Sequence, residues 1–96
     1  MNNPIDEKAQ LDVEISNLYA TDAEIAAFTN MLVQGLGSKA TTPMIRSVGV
    51  NAKGTRYEVT FKVLEPRHFS INKVRDWLHA AMLVGWNLDT TIVPPQ

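Results

Sequence analysis

The stretch RYEVTFKV, residues 56–63, decides the fold of this 96-residue chain. Apolar and polar residues alternate strictly along it; the apolar set is Tyr57, Val59, Phe61 and Val63, and the polar set is Arg56, Glu58, Thr60 and Lys62. This period of two predicts a strand over 55–64 with one buried face. A slip by one residue would bury the charged set, at a cost of several kcal/mol, so the apolar set is expected to face the core.

The neighbouring segments predict five further elements around this strand. Asn51 and Gly54 bracket a turn, which makes residues 44–51 and 55–64 a hairpin. Thr21 and Glu24 form a capping box at the start of one helix, and Gly37 is suited to its end. The predicted elements are β1 (10–18), α1 (22–36), β2 (44–51), β3 (55–64), α2 (71–84) and β4 (88–93).

The order β-α-β-β-α-β, with one apolar face per element, predicts an α+β fold. Right-handed crossovers lead to the ferredoxin-like βαββαβ split sandwich, a four-stranded antiparallel sheet of order 4-1-3-2 with two helices on one face. We expect residues 1–9 to be a flexible tail and residues 10–96 to be one domain. This topology hosts enzymes, binding modules and regulatory dimers alike, so the fold alone predicts no function.

Composition excludes several chemistries. The chain has no cysteine, which rules out disulfides, thiolate metal sites and cysteine nucleophiles. No apolar run approaches the ~20 residues of a membrane span, and the polar start does not resemble a signal peptide. A cytoplasmic protein without a membrane partner is therefore expected.

The charge distribution is uneven although the net charge is only −1. Residues 1–24 hold six acidic side chains and one basic side chain, whereas residues 39–75 hold eight basic and two acidic ones. Cross-strand pairing of β1 with β3 would neutralise part of this asymmetry. The cations left over are the candidates for nucleic-acid contact, namely Lys39, Lys53, Arg67, Lys73 and Arg75.

Lys53-Gly54 followed by an aromatic residue partly matches the signature strand of the RNA recognition motif. That motif needs its aromatics on the solvent face, and in that register Arg56 and Lys62 would be buried. Stacking on a base returns only ~1–3 kcal/mol, which is less than the burial would cost. The core register is therefore favoured over the RNA-reading one, and loop or α2 cations are the alternative route to nucleic acid.

Catalysis has little support in the sequence. His68 lies in a loop, and Asp76 and His79 are three residues apart on α2, which favours a solvated pair over a metal site. No nucleophile elbow or phosphate-binding glycine loop is present. Acylphosphatases share the topology, but residues 16–20 lack the glycine and arginine of their phosphate loop. We predict no catalytic residue, no metal and no cofactor.

The end of α2 is apolar nearly all round, a pattern typical of a helix that is covered on more than one side. Either the chain covers it or a partner does, and tryptophan and methionine are enriched at interfaces. The interface candidates are Trp77, Leu83 and Trp86, with Met31 on α1. Open edges at β2 and β4 offer a second route to association.

The preferred hypothesis is a small non-catalytic protein–protein interaction or assembly module that forms homo-oligomers. The alternative is a nucleic-acid-binding module that uses the loop and α2 cations. A third is a small hydrolase or ligand-binding regulatory domain without a recognisable motif.

Overall fold

The computed structural model describes residues 9–52, 54–83 and 85–93. Its elements follow the predicted order: β1 (Gln10–Ala20), α1 (Asp22–Leu36), β2 (Met44–Asn51), β3 (Gly54–Val63), α2 (Ile71–Ala80) and β4 (Asn87–Val93). The strands form one antiparallel sheet of order β2-β3-β1-β4. This is the predicted ferredoxin-like α+β fold. Ala9 is 2% exposed, and residues 1–8 lie outside the described part, so the flexible tail over 1–9 stays a prediction.

The register of β3 is as predicted. Val59, Phe61 and Val63 are buried, and Tyr57 packs against the same core. Across the sheet Lys62 pairs with Asp12, and their charged groups lie 3.7 Å apart. These residues place the apolar face of the sheet under both helices and leave the opposite face open.

A bulge makes β1 longer than predicted. Asn17 has a φ of 62°, a left-handed conformation that asparagine tolerates, and the pairing with β3 shifts between Ile15 and Leu18. The shift moves the buried positions from odd to even, so Leu18 and Ala20 continue the core face. It also places Arg56 opposite Tyr19, away from the acidic residues of β1.

Helix α1 begins at its predicted capping box. The Glu24 amide donates to Thr21 Oγ1 at 3.2 Å, and the Thr21 amide donates to Glu24 Oε1 at 2.8 Å. The buried stripe of the helix is Ile25, Phe28 and Leu32. This stripe meets the core face of the sheet in a single cluster, to which α2 contributes Val74 and Leu78.

Helix α2 ends at Ala80, four residues earlier than predicted. The amide of Met82 donates to His79 O at 3.0 Å, and the amide of Leu83 donates to Leu78 O at 2.9 Å. These two bonds define a Schellman motif, in which the residue after the cap adopts a left-handed conformation. Here that residue is Met82, with a φ of 65°, where glycine would be usual.

Candidate interaction surfaces

The C-terminal end of α2, the first predicted interface, is covered in part by the chain itself, although Met82 is 76% exposed. Leu83 is completely buried, so it has no surface to offer a partner. Leu83 and Leu78 belong to the same buried cluster, and they occupy the two positions whose side chains commonly meet in a Schellman motif. Trp86 is half-buried, donates from its indole nitrogen to Leu83 O at 3.2 Å and meets the His79 ring edge-on. The chain that follows α2 therefore folds back over its apolar end.

Trp77 lies against the other helix at a position that only glycine allows. A Cβ atom on Gly35 would lie 2.3 Å from Cζ2 of Trp77, well inside the contact limit. The indole therefore packs directly on the α1 backbone, and Trp77 is half-buried as a result. Met31, the fourth interface candidate, is also half-buried on α1. Trp77, Trp86 and Met31 each retain some accessible surface, and their role in an interface stays a prediction.

The edge strand β2 has the opposite character, since its apolar side chains are exposed. Met44 is 72% exposed, Ile45 is 43% exposed and Val50 is 77% exposed, while Val48 is half-buried. Adjacent residues of a strand point to opposite faces, so exposure of both Met44 and Ile45 means that neither face is covered at this end. Among the described residues, β3 is the one strand paired with β2, so β2 forms an edge of the described sheet.

The other edge strand, β4, is more polar. Asp89, Thr90 and Thr91 occupy its centre and are exposed, and Leu88 is half-buried against the core. Ile92 is its one large exposed apolar side chain, with 46% of its surface accessible. The two edges therefore differ in chemistry, and β2 carries the greater apolar surface.

The open face of the sheet holds a depression of about 590 Å³. Asp12, Glu14 and Asp89 line one side of it, and Lys62 and Met44 line the other. The Asp12 carboxylate already faces Lys62 Nζ. Residues 9–52, 54–83 and 85–93 contain no group of three or more His, Asp or Glu side chains placed to hold a metal ion.

Four of the five predicted nucleic-acid cations lie at one end of the domain. Lys39 precedes β2, Arg67 lies in the turn after β3, and Lys73 and Arg75 lie in the first half of α2. In this topology these segments share one end of the sheet. Lys53, the fifth candidate, is outside the described residues. A nucleic-acid interface that uses these cations stays a prediction.

Tyr57 links β3 to the start of α1. Its hydroxyl donates to Asp22 Oδ1 at 2.9 Å. This hydrogen bond, together with desolvation and the charge of Asp22, raises the pKa of the Tyr57 hydroxyl above its usual value. Because the folded state favours the neutral phenol, this contribution to stability is present below the ordinary tyrosine pKa. It is lost as the pH rises through the higher folded-state value.

Comparison with known proteins identifies the fold and no more. No protein-family model matches the sequence. No curated protein matches it either. Among solved structures, the chain is similar to a dimeric ferredoxin-like protein of unknown function from Thermobifida fusca YX. That pair shares 10% sequence identity with a TM-score of 0.58, and the match covers 97% of this chain and 99% of the other.

A second solved structure, of a protein from Shewanella oneidensis, is also similar. The identity is 12% and the TM-score is 0.53, with 94% of this chain and 97% of the other covered. Identities this low support the shared ferredoxin-like fold alone. In the part of the chain that the structure describes, no helix is long and apolar enough to cross a membrane.

Proposed function

We propose that this protein is a small non-catalytic interaction module that associates with copies of itself. The observation that carries the proposal is the exposure of apolar side chains along the edge strand β2. Met44 and Val50 each leave more than two thirds of their surface accessible. Exposed apolar surface beside an unpaired strand edge is a recognised binding or aggregation element.

The polar features of the domain support a binding role more than a catalytic one. Two pairs of charged side chains on the open face are ion pairs, Arg46 with Glu58 at 2.6 Å and Lys62 with Asp12 at 3.7 Å, whereas Glu14 and Asp89 lie opposite each other on β1 and β4. A general base or nucleophile would need a side chain with a perturbed pKa that points into a cleft. Tyr57 is the side chain whose pKa is shifted among the described residues. Its phenol is neutral and donates a hydrogen bond to Asp22 at the start of α1.

The similar fold from Thermobifida fusca is compatible with this proposal, since that protein is described as dimeric. With 10% identity the comparison supports a shared architecture and carries no information about which surface would make contact. It therefore adds plausibility to self-association and leaves the contacting surface to be argued from this chain's own residues.

Light scattering after size-exclusion chromatography tests the proposal. The monomer has a mass of 10.7 kDa, and we expect a larger species whose share rises with protein concentration. A mass that stays at the monomer value at tens of micromolar protein would overturn self-association.

A further inference from the structure

We infer that the partner of β2 is the β2 strand of a second copy, paired antiparallel so that two four-stranded sheets become one sheet of eight strands. This inference rests on the self-association proposed above and adds the contacting element and its symmetry.

The first step concerns the shape of the occupant. The outer side of β2 presents a row of backbone amide and carbonyl groups, which includes the regular segment from Met44 to Ser47. Groups spaced in this way are satisfied together by another extended strand, which is the basis of strand addition at sheet edges. The occupant is therefore a strand rather than a helix or a small molecule.

The second step concerns charge. Arg46 is the only charged residue of β2, and its guanidinium already contacts Glu58 Oε2 at 2.6 Å. Two β2 strands therefore meet as nearly neutral surfaces, without repulsion between unpaired like charges. A strongly acidic or basic peptide would gain little from this edge. A second β2 brings the same apolar side chains, among them Met44 and Ile45.

The third step concerns symmetry. Pairing β2 with β2 uses the same surface on both copies and closes as a dimer with a two-fold axis. Pairing β2 with β4 would leave a free β2 at one end and a free β4 at the other, so it would continue into an open-ended sheet. The polar centre of β4, with Asp89 and two threonines, is also a poorer match for the apolar β2 edge.

The position of the two-fold axis follows from a bulge in β2. The pairing with β3 is regular from Met44 to Ser47 and shifts before Gly49. Bulges interrupt a ladder and twist the strand, so regular pairing with a second copy is expected within Met44–Ser47. Copies of the same residue in this segment should then approach each other closely.

Disulfide trapping tests this geometry directly, because the chain has no cysteine of its own. Single cysteines would be placed at each position from Met44 to Ser47, with Thr91→Cys on the exposed β4 edge as the control. A disulfide needs Cα atoms about 4.4–6.8 Å apart, which only residues beside the two-fold axis achieve. We expect oxidation to a covalent dimer at one of the four positions about tenfold faster than for Thr91→Cys, because pairing raises the effective thiol concentration.

A matched pair of lysine substitutions provides the second measurement. Ile45 and Ile92 lie on opposite edges with similar exposure, 43% and 46%. Lysine is a natural blocker of edge pairing, so Ile45→Lys should give the monomer mass while Ile92→Lys keeps the wild-type mass. Circular dichroism would show that both variants stay folded.

The outcomes separate this inference from the proposed function. A wild-type dimer that neither cross-links within Met44–Ser47 above the control rate nor dissociates with Ile45→Lys would overturn β2 pairing and leave self-association standing. A wild-type monomer would overturn both. Cross-linking at one position together with loss of the dimer in Ile45→Lys is the expected result.

Discussion

The end of α2 and the edge strand β2 both carry apolar residues at positions where surface elements are usually polar. The two regions differ in how far these side chains are buried. At the end of α2, the chain turns back through a Schellman motif, so Leu83 is buried and Trp86 is half-buried. At β2, Met44 lies on the open face of the sheet and Val50 lies near the end of the edge strand, and both remain exposed. Apolar composition therefore does not distinguish a covered surface from a binding surface; the distinction depends on what packs above each residue.

The largest expected effect comes from truncating one residue in each region. Leu83→Ala removes a fully buried side chain and should lower the free energy of unfolding by about 2–5 kcal/mol. Val50→Ala, at a site that is 77% exposed, should change it by less than about 0.5 kcal/mol in the monomer. Urea denaturation at a protein concentration below that of association would measure both. An equal loss of unfolding free energy in the two variants would mean that the end of α2 and β2 do not differ in how far their apolar side chains are buried.

The second expected effect concerns the contact that helps to cover α2. Gly35→Ala would place a methyl group against the Trp77 ring and force the indole outward, at about 1–3 kcal/mol of unfolding free energy. The gain in helix propensity, at most ~1 kcal/mol, offsets only part of this. In a Trp77→Ala background the clash is gone, so the same substitution should be neutral or stabilising. A stabilised Gly35→Ala single variant would show that the ring does not rest on the α1 backbone.

The features of this fold that could be predicted from the sequence are the ones that depend on residues close together in the chain. Alternation in residues 56–63 is enough to orient the sheet, since only one register avoids buried charge. The capping box of Thr21 and Glu24 likewise locates the start of α1. These features are local, so the fold and strand order follow from the sequence.

The errors arise where one element meets another. The end of α2 was placed too late because Met82, rather than glycine, adopts the left-handed position. The exposure of Ile45 and Val50 depends on where the two helices lie across the sheet, for which the sequence of β2 offers only indirect evidence. Its lack of strict alternation, with Met44 and Ile45 adjacent and both apolar, was the available sign that neither face would be buried.

The smallest expected effect comes from Met82, and the substitution tests whether the end of α2 only terminates the helix or also contacts a partner. Met82 holds a left-handed conformation that costs an ordinary residue roughly 1–2 kcal/mol, and its side chain is 76% exposed. Met82→Gly removes this strain with little loss of packing. After the greater flexibility of glycine in the unfolded chain is subtracted, a gain of about 0.5–1 kcal/mol in unfolding free energy remains.

Met82→Ala is the matched control, because alanine also removes the side chain but keeps the strain. Thermal or urea unfolding should therefore show a gain for glycine and little change for alanine. Light scattering on the same two variants should give the wild-type mass, since β2 and not α2 is the proposed contact. If both variants instead lost the oligomer, the exposed methionine would be part of the interface. The end of α2 would then be a binding surface, as is proposed for β2.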